Sequence, residues 1–127
     1  MKHSLLLTLL TALALLAACQ DAQPPVDEGM LANIRSGALV VDVRTPEEFS
    51  QGHFPGAINI PHEQIVEGLR SRQIEASEPV ILYCRSGNRS GIAERALHAE
   101  GYVSARNAGS LDNLLAATQH TAVTPGS

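Results

Sequence analysis

Two apolar runs constrain this chain more than any other feature. Ala38-Leu39-Val40-Val41-Asp42-Val43 and Pro79-Val80-Ile81-Leu82-Tyr83 lack the polar alternation of a half-solvated strand. Runs of this kind, rich in β-branched residues, form strands covered on both faces. A helix signal follows each of them. After the first stands Thr45-Pro46-Glu47-Glu48, with an N-cap residue, proline at N1 and glutamate at N3, which predicts a short helix opened by a capping box. After the second, Ile92, Ala93, Ala96, Leu97 and Ala99 recur at helical spacing within Gly91–Glu100, and Gly101 ends the pattern. Alternating strands and helices predict an α/β fold: a mostly parallel central sheet with helices on both faces.

The remaining elements are read in the same way. Asp27 to Ser36 predicts a helix with Met30, Leu31 and Ile34 on one face, stopped by Gly37. The turn-rich Gly52-His53-Phe54-Pro55-Gly56 precedes a short strand, Ala57 to Ile60, and Glu63 to Arg70 carries Ile65, Val66 and Leu69 as a helix face. Tyr102 to Arg106 predicts a last strand, and Leu111 to about Thr118 a last helix. There is no internal repeat and no second domain boundary.

Between the second apolar run and its helix lies Cys84-Arg85-Ser86-Gly87-Asn88-Arg89-Ser90. The thiol stands at the carboxyl end of a strand, where parallel sheets collect their chemistry. The backbone N–H groups that begin the next helix lack intrahelical partners, and with the helix dipole they favour an anion. The same surroundings lower a thiol's pKa and make it a nucleophile. Arg85 and Arg89 can offer forked hydrogen bonds to an anion, and Gly87 permits the tight curvature. Ser86 and Ser90 are expected to hydrogen-bond within the loop, Ser90 as a helix cap. Arg89 has two roles open to it, binding the anion or bracing the loop.

Asp42-Val43-Arg44, Glu48-Phe49, Gly52-His53-Phe54-Pro55-Gly56-Ala57 and Asn59-Ile60-Pro61, read together, resemble the rhodanese homology domain. The loop from Cys84 to Arg89 is similar to that family's six-residue active-site loop. Asn107-Ala108-Gly109-Ser110-Leu111 resembles a late Asn-Ala-Gly-Gly-Leu stretch found in short, exported, single-domain members, with Ser110 in place of the second glycine. The resemblance implies thiosulfate sulfurtransferase activity. The Cys84 thiolate would attack a sulfane-sulfur donor such as thiosulfate, carry the sulfur as a persulfide, and yield it to cyanide or a thiol. It implies substrate contacts from Arg85, Ser86, Gly87, Asn88, Arg89 and Ser90. Asp42 and Arg44 are expected to support the site from the neighbouring strand end. His53 reads as a satisfied turn histidine, and His62, His98 and His120 show no metal spacing, so neither metal nor cofactor is expected.

The chain opens with Lys2 and His3 and an apolar run from Leu5 to Ala18, the form of an export signal. Leu16-Ala17-Ala18-Cys19 resembles a bacterial lipoprotein box, in which the cysteine is acylated and becomes the mature N-terminus. A simple secretory signal or a retained anchor helix are the other readings. Residues 1–18 are thus expected as the signal, 19–26 as a tether, 27–118 as the domain and 119–127 as a tail. Gln20 after the cysteine favours the outer membrane, with a soluble periplasmic protein as the alternative. Of the 127 residues 9 are Lys or Arg and 13 are Asp or Glu, for a net charge of −4, which argues against nucleic acid as a partner. A monomer is expected.

Rival functions separate on the same loop. A rhodanese-related phosphatase needs Cys-x5-Arg, which would place arginine at position 90, where this chain has Ser90. A persulfide carrier, a redox sensor or a partner-docking module with incidental transfer activity would keep the same cysteine.

Overall fold

The computed structural model describes residues 26–120, so the expected signal, the lipidation site Cys19, most of the tether and the end of the tail lie outside the described residues. Helix α1 (Glu28–Arg35) starts where Asp27 accepts a hydrogen bond from the Met30 N–H at 2.9 Å. It stops before Gly37, whose φ of 88° is one that a Cβ would strain. Strand β1 (Leu39–Asp42) follows, then α2 (Pro46–Ser50) with the predicted capping box between Thr45 and Glu48. Strand β2 (Ile58–Asn59) is only two residues long, and a 3-10 turn (His62–Gln64) leads into α3 (Ile65–Ser71). Strand β3 (Val80–Cys84), α4 (Asn88–Ala99), β4 (Ala105–Ser110) and α5 (Leu111–His120) complete the described chain.

The sheet is wholly parallel with order β2-β1-β3-β4. From β1 the chain steps to one side to make β2, then crosses to the other side of β1 to make β3. That reversal creates a switch point between the carboxyl ends of β1 and β3, the place where open α/β sheets bind ligands.

Side chains alternate across the sheet with period two. Val41, Val43, Leu82 and Cys84 turn to one face, covered by Ile65 and Leu69 of α3 and Ala93 and Leu97 of α4. Val40, Ile81 and Tyr83 turn to the other, covered by Met30, Leu31 and Ile34 of α1, Leu114 of α5 and Phe54. Each fully buried aliphatic side chain is worth about 1.5–3 kcal/mol over its exposed state, so a chain poor in aromatics still fills two core layers. Gly68 lets α3 close on the sheet edge, since a Cβ there would meet Ile60 Cγ2 at 2.5 Å.

Several expectations shift. The last strand begins at Ala105 and runs through Ser110, later than the predicted Tyr102–Arg106. Tyr102 is instead buried ahead of the strand with its hydroxyl donated to the Ile74 carbonyl at 3.0 Å. Helix α4 begins at Asn88, three residues before the predicted Gly91, because Gly87 turns the chain at φ 90° and occupies the N-cap. Ser90 therefore lies inside the first turn and is not the cap. Its hydroxyl is drawn to side chains of the sheet. On the same helix Ile92 is 41% exposed, so the buried stripe runs through Ser90, Ala93 and Leu97 and leaves Ile92 in solvent.

Candidate active site

Cys84 is the last residue of β3 and is fully buried. Its Sγ accepts the Gly87 N–H at 3.0 Å and lies 3.3 Å from the Ser90 Oγ. The αL turn at Gly87 makes this possible by folding the peptide back over the sulfur. Burial pushes the thiol's pKa up, but the Ser90 hydroxyl and the backbone amides of Ser90, Ser86 and Gly87 outweigh it, and the net direction is down. The thiolate is thus favoured by hydrogen bonding to the charged form.

Asp42 and Arg44, expected to support the site, form a buried network at the adjacent strand end. Asp42 is fully buried and Arg44 nearly so. The Arg44 Nε lies 2.9 and 3.0 Å from the two Asp42 carboxylate oxygens, and its Nη2 donates to Asp42 Oδ2 at 2.6 Å and to the Gly52 carbonyl at 2.7 Å. The Tyr83 hydroxyl donates to Asp42 Oδ2 at 2.7 Å and accepts the Phe54 N–H at 2.9 Å. Asn59 donates its amide to the carbonyls of Asp42 and Arg44 at 3.0 Å each. This network holds the residue immediately before Cys84 against β1, β2 and the 52–54 turn.

The arginines of the loop have different fates. Arg89 forks onto Glu48 with contacts of 2.7 and 3.0 Å, so the bracing ion pair is present. Arg85 is exposed, forms no ion pair among the described residues, and borders an open cleft of about 400 Å³ with Arg44, Glu48, His53, Leu111 and Leu115 among the other walls. Arg44 and Arg89 are both engaged by carboxylates, so Arg85 is the uncommitted guanidinium among the described residues of that wall. Ser86 and Asn88 are exposed. His53 stacks on Phe49 at 3.7 Å and its Nδ1 meets the Phe49 carbonyl at 2.9 Å, the structural role expected of it. Among the described residues no three His, Cys, Asp or Glu side chains gather to hold a metal ion.

Two participants escaped the sequence reading as site residues. Glu48 stood out as a capping residue and within a resembling motif but not as a site residue, yet its carboxylate also clamps Arg89 from 41 positions away. Asn107 stood out only within a resembling stretch, yet its side chain reaches Ser90 and Gly87. The Glu48–Phe49 and Asn107–Leu111 motifs were the signals that could have found them.

Fold and site together define a class: a doubly covered parallel α/β domain holding a hydrogen-bonded thiol at the carboxyl end of an inner strand. The chain belongs to the rhodanese-like domain family, whose sequence profile matches residues 27–116. It is 38% identical over 74 residues to thiosulfate sulfurtransferase PspE of Escherichia coli (strain K12), covering 58% of this chain and 71% of that protein. In structure it is similar to a rhodanese with anions from E. coli, with 37% identity, a TM-score of 0.57, and coverage of 60% of this chain and 89% of that one. Human single-domain sulfurtransferase TSTD1 is similar with 25% identity, a TM-score of 0.62, and coverage of 75% and 97%.

The Glu48–Arg89 pair carries a pH signature. Arg89 chiefly, opposed by burial and aided by Thr45, pulls the Glu48 carboxyl from 4.5 down to about 2. A carboxyl with a depressed folded pKa stabilises above its unfolded value and loses that contribution as pH falls through the folded one. The melting temperature of the wild type should therefore fall more steeply than that of Glu48→Gln as pH drops from about 4.5 to about 2. Parallel curves across that window would show the pair to be solvent-screened and idle.

Proposed function

We propose that this protein is a thiosulfate sulfurtransferase that moves sulfane sulfur through a Cys84 persulfide. The observation that carries the reading is the backbone cradle that donates the Gly87 N–H to Sγ, with the Ser90 hydroxyl within reach, which lowers the thiol's pKa towards the nucleophilic form. The thiolate attacks the outer sulfur of thiosulfate. The S–S bond of the donor breaks, its electron pair leaves with sulfite, and a persulfide anion stays on Cys84. A thiolate or cyanide then attacks the outer sulfur of that persulfide and releases the Cys84 thiolate, so no external oxidant or reductant is consumed. Splitting the displacement into two covalent steps lowers each barrier. Arg85, the uncommitted guanidinium, is suited to meet the sulfonate oxygens at the cleft. Arg89, balanced by Glu48, holds the loop's far side.

The test is mass spectrometry of the protein before and after thiosulfate. The Cys84 peptide should gain one sulfur atom, and cyanide or a thiol should remove it. A Cys84 that is alkylated readily but gains no sulfur would overturn the reading. Export and acylation at Cys19 belong to the same proposal and are supported by the Leu16–Cys19 pattern. The native protein should carry a diacylglycerol-type addition on Cys19, and the mass of the unprocessed chain would overturn that part.

A further inference from the structure

Ser90 has one hydroxyl hydrogen and two acceptors within its reach. Its Oγ lies 2.7 Å from Asn107 Oδ1 and 3.3 Å from Cys84 Sγ. The orientation of the Asn107 amide is set by two backbone groups of fixed polarity. The Gly87 carbonyl takes the Nδ2 donor at 2.9 Å, and the Gly109 N–H donates to Oδ1 at 2.8 Å. Oδ1 therefore faces Ser90 as an acceptor, and a 2.7 Å contact between two oxygens needs the Ser90 hydrogen between them. With the hydrogen there, the Ser90 oxygen offers a lone pair towards the sulfur. That arrangement suits a neutral Cys84 thiol. A thiolate needs the opposite one, with the hydrogen turned onto Sγ.

We infer that Asn107 is a positioning residue that competes with Cys84 for the Ser90 hydrogen and so sets how readily the nucleophile ionises. When the thiol ionises, Ser90 rotates its hydrogen from Asn107 Oδ1 to Sγ, and Oδ1 keeps only the Gly109 N–H. When the charge leaves the sulfur, the hydrogen returns. The Asn107 amide thus tempers the acidity that the cradle creates, and it does so through Ser90 without touching the sulfur.

Arg85 of the loop, Arg95 and Asp112 form no ion pair among the described residues, and the other charged or titratable groups nearby are held by other partners. The elements packed around the cluster bring Arg89, Glu94 and Arg95 from α4, Tyr83 from β3, Arg106 from β4 and Asp112 from α5. Arg89 is held by Glu48, Arg106 by Asp27, and Tyr83 by Asp42. Glu94 Oε2 accepts the Asn107 backbone N–H at 2.5 Å, a bond that side-chain substitutions at 107 leave in place.

The inference rests on Cys84 being the reactive group, but its test does not require that thiosulfate be the donor. The rate at which iodoacetamide alkylates Cys84 in the full-length protein, followed on its peptide by mass spectrometry across pH, reports the thiolate fraction directly. In Asn107→Ala the competing acceptor is gone, and the midpoint of this profile should fall by about 0.5–1 pH unit, the equivalent of one neutral hydrogen bond. In a Ser90→Ala background the same Asn107→Ala change should leave the midpoint where Ser90→Ala alone puts it. A midpoint that stays or rises in Asn107→Ala, or a shift that persists without Ser90, overturns the inference and leaves Asn107 as a loop tie. Should Asn107→Ala fail to fold, Asn107→Asp retains both acceptor contacts of Oδ1. It should raise the midpoint when Ser90 is present, by more than it does in Ser90→Ala, and an equal rise in both would reduce the effect to bare charge repulsion.

Discussion

Replacing Cys84 by serine is expected to lower thiosulfate-to-cyanide transfer by at least about 10³-fold, since loss of a covalent nucleophile removes the pathway rather than one of its aids. A hydroxyl remains protonated in a cradle that only tilts a thiol towards ionisation, and oxygen does not hold sulfur as a persulfide does. The fold should barely notice. Serine can accept the Gly87 N–H that Sγ accepts at 3.0 Å and exchange hydrogen bonds with Ser90, so the cost should stay within about 1 kcal/mol. Steady-state turnover and a thermal melt on the same preparation check both halves. Undiminished turnover by Cys84→Ser would take the thiol out of the reaction, and a collapsed melt would give it a structural duty that the geometry does not show.

The largest effect on stability is expected at Asp42. Its carboxylate is fully buried and is the one ion-paired with the Arg44 guanidinium among the described residues. Asp42→Ala would leave a nearly buried cation without its counter-charge and strip the Tyr83 hydroxyl of its acceptor. Breaking such a pair from one side costs about 3–5 kcal/mol. At roughly 4–8 °C per kcal/mol for a domain of this size, the melting temperature should fall by at least about 12 °C. The double variant Asp42→Ala with Arg44→Ala should be less damaged than the two single losses added together, because the second change removes the stranded charge. A fall below about 1 kcal/mol in Asp42→Ala would mean that water already reaches Arg44 and that the network is not what holds Tyr83 in place. Such a variant should also lose the proposed transfer activity, since Tyr83 immediately precedes Cys84.

Much of this arrangement was legible before any tertiary information. The capping box at Thr45 and Glu48 is local chemistry spanning three positions, and it formed as read. Gly37 ends α1 for the same kind of reason. The place of Cys84 at a strand's carboxyl end followed from an apolar run that cannot be solvated, with a helix behind it. Errors arose where a tertiary partner outbid a local preference. Ser90 looked like a cap because serine favours that position, but Gly87 made the turn and Asn107 claimed the hydroxyl. Ile92 looked like core because it is apolar, yet the helix face against the sheet is narrow and already filled by Ala93 and Leu97.

The sequence alone determined the class of sheet, the succession of strands and helices, and the place of Cys84 at a strand's carboxyl end, because each depends on spacing over a few residues. The tertiary structure decided which arginine stays uncommitted, which carboxylate anchors Arg44, and which amide shares the Ser90 hydrogen with Cys84. Those outcomes depend on pairs such as Glu48 with Arg89 and Ser90 with Asn107, 41 and 17 positions apart. No periodicity encodes them, since parallel crossover connections alone bring such side chains to the same end of the sheet.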